Sequence, residues 1–391
     1  MIRILFVDDD INVLNAMRRT LRSMRAEWDT VFAADGAAAL AMLAASPVDV
    51  VVSDMHMPGM DGWQFLAEVR NRYPQTVRFL LSGHADPASI MRSVGTTHQY
   101  LAKPCDNEVL KAAITQTQAV RSFLSSERLL AIVGGIGMLP SAPLTFQKLL
   151  TCLRDSNSSV ADVSQIVSTD IAMTANIMKL VNSAFFGARH PIYSAERAVA
   201  YLGLDTVGAL VLGHDVFHCG AAGTASALDY DALWQHSVAT AAAARAIAIH
   251  EKFSGIRADE AFLAGLLHDV GKVALAARAG QPDEDISHAE VGGYLLGLWG
   301  FPVPVVEAVT FHHEPGRASG EGLGASAAHD APTDDRDLHA RALRAGPMRR
   351  TLLARWHRCD GPRKRRPSSR EPRLTRWRSS LPRGHRRRPM G

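Results

Sequence analysis

Five polar residues in the first 103 positions, Asp8, Asp9, Asp54, Ser82 and Lys103, each close or follow a short apolar run. Three carboxylates crowded together repel one another and require a cation, and a cluster offering only oxygen suits Mg²⁺. A lone lysine opposite them can hold one phosphate oxygen and a serine hydroxyl another. The chemistry open to such a set is phosphoryl transfer to a carboxylate, with Mg²⁺ neutralising the developing charge. A second set lies beyond residue 230: His236, the pair His268–Asp269 in "GLLHDVGK", His288, and the pair His312–His313. Neutral imidazoles around one bridging carboxylate make a first shell for Fe, Mn or Zn. Lys272, four residues past His268, would share its helix face and steady a phosphate. A metal-bound hydroxide attacking a phosphodiester is the reaction such a site would run. The competing reading is a structural polar cluster that holds no metal. "GHDVFHC" places His214, Asp215, His218 and Cys219 at zinc-like spacing, but no second ligand pair accompanies it, so it reads as a decoy.

The elements that must position these residues fall into two blocks. Over the first 122 residues, strand-like runs at 2–7, 30–34, 48–53, 77–82 and 99–103 alternate with helical patterns near 11–25, 36–45, 61–72, 86–95 and 106–125. Five such units predict a parallel doubly wound five-stranded sheet of flavodoxin-like type, with functional groups at the carboxyl ends of the strands. A helix over 106–130 runs into the Gly/Pro-rich joint "AIVGGIGMLPSAP". Beyond it the period becomes helical, predicting an all-α domain with helices at 143–155, 159–167, 170–183, 194–203, 204–218, 227–252, 257–276, 287–299 and 302–313. The expected division is 1–122, a linker over 123–139, a second domain over 140–320, and a tail over 321–391.

Charge is distributed unevenly along the 391 residues. Residues 341–391 hold 18 Lys/Arg against Asp360 and Glu371, a net of +16, so the rest carries −12 beneath an overall +4. An acidic body argues against nucleic acid as its partner. The Arg/Pro-rich tail has little to form a core and reads as disordered, as a basic arm, or as the product of a change of reading frame near residue 320. Cys105, Cys152, Cys219 and Cys359 are far apart without a CxxC pair, which fits a reducing cytoplasm. The N-terminal segment lacks the longer apolar core of a signal peptide, and no uncharged apolar run approaches the ~20 residues needed to span a bilayer.

"FVDDD", "DVVVSDMHMPGMDG", "FLLSGHAD" and "YLAKP" resemble, in order and spacing, the receiver domain of two-component response regulators. The resemblance implies that Asp54 is the phosphoacceptor and that Asp8, Asp9, Asp54 and the His56 backbone carbonyl hold Mg²⁺. It also implies that Ser82 and Lys103 contact the phosphoryl group and that Tyr100 is an aromatic switch. A sensor histidine kinase or phosphotransfer protein would be the donor.

The second set of residues resembles the HD superfamily of metal phosphohydrolases, including the cyclic di-GMP phosphodiesterase branch called HD-GYP. "MLPSAPLTFQKLL", "VSTDIAMTANIMKLVNSAFFG", "AVAYLGLDTVGALVLG", "HAEVGGYLLGLWGFP" and "HHEP" resemble the HDOD domain, an HD-related output domain regarded as non-catalytic. Ala232 stands where the phosphodiesterases place a Glu, no Gly-Tyr-Pro element follows "HHEP", and Asp330 is a weak candidate for the terminal ligand. These resemblances imply a cytoplasmic response regulator whose HDOD domain acts by contact with a downstream signalling protein, with a homodimer open to it. The alternative they imply is a receiver-regulated phosphodiesterase acting on cyclic di-GMP.

Overall fold

The computed structural model describes residues 1–83, 93–123, 127–155, 157–183, 186, 188, 190–213, 228–277 and 286–314. The predicted helix at 86–95, the His214–Cys219 stretch, Asp330 and the basic tail lie wholly or largely outside these residues.

Five strands, β1 (Ile2–Val7), β2 (Trp28–Ala33), β3 (Val50–Asp54), β4 (Val77–Ser82) and β5 (Gln99–Ala102), form one parallel sheet in the order β2-β1-β3-β4-β5. All five agree with the sequence reading to within two residues. β3 and β4 are buried along their whole length, as expected of central parallel strands covered on both faces. The flanking helices are α1 (Ile11–Thr20), continued by a 3-10 turn, α2 (Gly36–Ala45), α3 (Gly62–Arg72) and α4 (Asn107–Phe123). Asp10 and Asp35 start α1 and α2 by accepting the backbone N–H groups of Asn12 and Ala38. The strand order reverses between β1 and β3, so Asp8 and Asp54 stand at the switch point of the sheet.

The second block is helical: α5 (Glu127–Val133), α6 (Pro143–Arg154), α7 (Val160–Ser168), α8 (Ile171–Val181), α9 (Ala195–Leu202), α10 (Leu204–Gly213), α11 (Tyr230–His250), α12 (Gly255–Leu267), α13 (Val270–Ala276), α14 (His288–Leu298) and α15 (Val303–Thr310). Ser159 and Asp162 close a reciprocal capping box on α7, and Asp170 caps α8 through Met173 N. No helix among the described residues is long and apolar enough to cross a membrane.

One expectation is corrected here. The pattern predicts a single helix over 257–276, whereas the chain breaks at His268–Asp269 into α12 and α13. His268 turns its Nδ1 back to the Gly265 carbonyl at 2.8 Å, and Asp269 leaves helical geometry at ψ 10°. The break takes His268 and Lys272 off a common helix face, so Lys272 reaches Asp269 instead.

The two blocks pack directly. α14 lies against α4, Gln99 Nε2 donates to Leu298 O at 3.1 Å, and Gln116 Nε2 donates to Phe301 O at 2.7 Å. The glutamines of the sheet domain thus satisfy carbonyls at and just past the C-terminal end of α14, where no helical partner remains.

Candidate functional site

At the switch point, ligand oxygens of Asp8, Asp9 and Asp54 lie within 4.8 Å of one another. Lys103, the residue after β5, places Nζ 2.7 Å from both Asp8 Oδ2 and Asp54 Oδ1. Burial pushes the Asp54 carboxyl up, more than the ammonium of Lys103 pulls it down. Burial would lower Lys103, but its hydrogen bonds to Asp54 and Asp8 outweigh this and keep it charged. One ammonium therefore bonds Asp8 and Asp54, and with the exposed Asp9 beside them the cluster carries more negative charge than Lys103 balances. The Ser82 hydroxyl, buried at the end of β4, has no hydrogen-bond partner among the described residues. An oxygen-only donor set with surplus charge and a spare hydroxyl beside it fits a small hard dication and a phosphoryl group. His56 is exposed in the loop after β3. Tyr100 is buried, its hydroxyl accepting from Ser93 Oγ at 3.5 Å, and burial raises its pKa.

The second site gathers four of the five candidate histidines around one carboxylate, Asp269, with His313 against His288. Asp269 is 1% exposed at the α12–α13 break. On one side, Oδ2 lies 3.3 Å from His268 Nε2, 3.7 Å from His236 Nε2 and 2.6 Å from Lys272 Nζ. On the other, Oδ1 lies 3.0 Å from His288 Nε2 and 3.9 Å from His312 Nε2. His236 and His268 face each other at 3.0 Å, and His313 Nε2 lies 3.1 Å from His288 Nε2. Burial alone would raise Asp269, but hydrogen bonds from His268, His288 and Lys272 hold it far below the ordinary carboxylate range.

Two of the imidazoles are oriented from behind. His268 Nδ1 donates to Gly265 O and His312 Nδ1 donates to Val309 O at 2.7 Å, so each ring is held with its Nε2 pointing inward. His312 Nε2 is buried without a hydrogen-bond partner, and burial lowers its pKa to about 4. A partnerless ring nitrogen held neutral beside a carboxylate fits a borderline transition metal, the donor set expected for Fe, Mn or Zn. Lys272 Nζ donates to Asp269 Oδ2 at 2.6 Å.

Family models match the chain in three places: the response regulator receiver domain over residues 4–115, the HDOD domain over 139–286, and the HD domain over 233–370. The chain carries a receiver domain followed by an HDOD domain. Among curated proteins, the hydrogenase transcriptional regulatory protein HoxA of Cupriavidus necator is 38% identical over 103 residues, covering 26% of this chain and 21% of that protein. An uncharacterised protein of Treponema pallidum is 25% identical over 206 residues, covering 47% of this chain and 39% of its own length. The chain thus spans between about a fifth and two fifths of these relatives. Among solved structures, the signal receiver domain of an HD domain-containing protein from Pseudomonas fluorescens Pf-5 is 35% identical, with a TM-score of 0.28 over 29% of this chain and 85% of that one. The MmoQ response regulator of Methylococcus capsulatus is 26% identical, with a TM-score of 0.38 over 56% and 93% of the two chains.

Sequence reasoning missed the residues that join the receiver to the HDOD domain. Gln99, Gln116 and Lys179 carry no chemical signature; the one available signal was a lysine inside the otherwise apolar "IAMTANIMKLV". Arg78 likewise interrupts the buried strand "VRFLLS".

Proposed function

We propose that the chain is a phosphorelay response regulator in which Asp54 takes a phosphoryl group from a histidine kinase or phosphotransfer protein. We assign residues 1–122 to the receiver, 123–139 to the joint, 140–320 to the HDOD domain and 321–391 to a tail, and place the protein in the cytoplasm. The observation that carries the reading is Asp54 at the switch point with Lys103 Nζ 2.7 Å from its Oδ1. A carboxylate oxygen of Asp54 attacks the phosphorus of a phosphohistidine, the P–N bond breaks, and the imidazole leaves with the bonding pair. Lys103 and Ser82 are placed to hold phosphoryl oxygens, and Asp8, Asp9, Asp54 and the His56 carbonyl would hold Mg²⁺. Mg²⁺, when bound, neutralises charge developing on those oxygens. The HDOD domain then changes its contacts with a downstream protein, a response supported by its direct packing on β5 and α4. The test is labelling of the intact chain by acetyl phosphate with Mg²⁺, read by intact mass. Asp54→Asn is expected to abolish it, and undiminished labelling would overturn the assignment.

A second reading, a metal-dependent phosphodiesterase acting on cyclic di-GMP, is favoured by the convergence of four histidines on Asp269. Ala232, where the phosphodiesterases place a Glu, stands against it. Stoichiometric Fe or Mn together with cyclic di-GMP hydrolysis that is lost in His268→Ala would put this reading first.

A further inference from the structure

Two fully buried cations belong to neither acid-centred site. Lys179, in the last turn of α8, is 2% exposed and lies among apolar residues of the HDOD core. Its Nζ donates to Thr97 O at 2.6 Å, Gly137 O at 2.7 Å and Val94 O at 3.4 Å, which uses all three ammonium hydrogens. It also lies 4.8 Å from the centroid of the Trp299 ring. Arg78, on β4, donates to Thr96 O at 2.6 Å, Thr76 O at 3.0 Å and Gly134 O at 2.7 Å, and meets His98 Nε2 at 3.0 Å. Among the described residues, neither cation has a carboxylate within ion-pair distance. A buried charge without a counter-ion is expensive, so what these two hold must repay it.

What they hold is the turn that leads into β5. Each carbonyl from residue 93 to 97 is committed: Ser93 O to Thr96 and Thr97 N, Val94 O and Thr97 O to Lys179, Gly95 O to Arg70, and Thr96 O to Arg78. The joint closes over the same turn, and a Cβ at Gly137 would run into the backbone of Gly95, so only glycine fits there. On its other side the turn reaches the acid pocket. Ser93 Oγ donates to Tyr100, Tyr100 pairs with Leu80 in the sheet, and two residues further on Ala102 pairs with Ser82. At the far end, α8 packs against α12 and α13, the helices that meet at Asp269.

We infer that Lys179 is the residue through which the receiver acts on the HDOD domain: its ammonium clasps the carbonyls of residues 94 and 97, so any movement of that turn changes how α8 is held. This rests on the reading of Asp54 as phosphoacceptor. A lone ammonium suits the task because it is a compact point charge whose hydrogen bonds depend on where three separate carbonyls sit. The clasp joins a receiver loop, the joint and an output helix at one atom.

The test is hydrogen–deuterium exchange on the intact chain with and without beryllofluoride and Mg²⁺, following peptides over 93–98, 134–139 and 171–181. The wild type is expected to respond in all three. In Lys179→Met the response at 93–98 persists while those at 134–139 and 171–181 fall at least about five-fold, the lower end of typical coupling between sites. Lys179→Gln, which keeps hydrogen-bond donors without the charge, serves where the Met variant does not fold and is expected to show the same loss. A wild-type response at 171–181 in either folded variant would overturn the clasp while leaving Asp54 as the acceptor. No response at 93–98 in the wild type would remove the phosphoacceptor reading, and the clasp with it.

Discussion

The contact between α4 and α14 makes a prediction whose sign depends on one partner. A Cβ added at Gly297 would lie 2.8 Å from both methyl carbons of Val120, a separation that real Cβ atoms essentially never show. Favourable carbon contacts begin near ~3.5 Å, so Gly297→Ala forces α14 and α4 apart or drives Val120 off its rotamer, costing about 1–3 kcal/mol. Against this, alanine gains up to about 1 kcal/mol of helix propensity over glycine. The single variant is therefore expected to be destabilised by roughly 1 kcal/mol. Val120 is 2% exposed, and removing its two methyl groups costs about 2 kcal/mol but vacates the space a new Cβ would occupy. In the Val120→Ala background, Gly297→Ala should then stabilise the chain by up to about 1 kcal/mol, for a coupling of about 1–3 kcal/mol. Urea unfolding of the four intact chains measures it, provided the m-value is constant across the cycle. Additivity to within about 0.5 kcal/mol would refute direct packing of the receiver on α14.

Three further outcomes are expected. His98 is buried between Arg78 and Lys179, and burial first, then those two charges, hold its pKa well below 6.5. The folded state binds fewer protons than the unfolded chain as pH drops below 6.5, so stability is full above that value and falls toward the folded pKa, by up to about 1.4 kcal/mol per pH unit. His98→Gln should flatten the dependence between pH 6.5 and 5, and an unchanged slope in denaturation series would reject the assignment. Lys103→Met removes the shared counter-ion of Asp8 and Asp54, so acetyl phosphate labelling should fall at least about ten-fold while Mg²⁺ binding, followed by calorimetry, persists. Asp269→Asn should abolish retention of Mn²⁺ or Zn²⁺ through gel filtration, because that carboxylate touches both groups of imidazoles; retained stoichiometric metal would exclude the cluster as the site.

The receiver fold and its pocket were legible because parallel strands report themselves twice. Short apolar-rich runs such as "VVV" at 50–52 mark buried strands, and the polar residues that close or follow each run mark the face where groups converge, among them Asp8, Asp54, Ser82 and Lys103. The cluster around Asp269 was legible as a set of residue types but not as a shape. Periodicity carried the helix pattern straight through "LLHDVGK", and nothing in local propensity marks a break that His268 and Asp269 impose through tertiary partners. The contacts between receiver and HDOD domain were less visible still. Gln99, Gln116 and Lys179 bond backbone carbonyls, and a backbone carbonyl has no sequence signature.

The two acid-centred sites differ in what attracts a metal to each. In the receiver, one ammonium bonds two of three clustered carboxylates, so surplus charge would favour a hard dication, and burial raises the Asp54 pKa. Around Asp269 the single carboxylate is already matched by Lys272 at 2.6 Å, so no surplus charge remains. What that site offers is ring nitrogens, aimed inward by the Gly265 and Val309 carbonyls behind His268 and His312. A metal there would have to displace an ammonium, and its imidazole donors would favour borderline metals over Mg²⁺. Lys272 is then the residue that decides the balance. Its ammonium stabilises Asp269 in the metal-free fold and opposes the first metal ion by the same contact, so Lys272→Met should bind Mn²⁺ or Zn²⁺ more tightly and fold less stably. Weaker metal binding in that variant would mean that the lysine supports the metal-bound site instead.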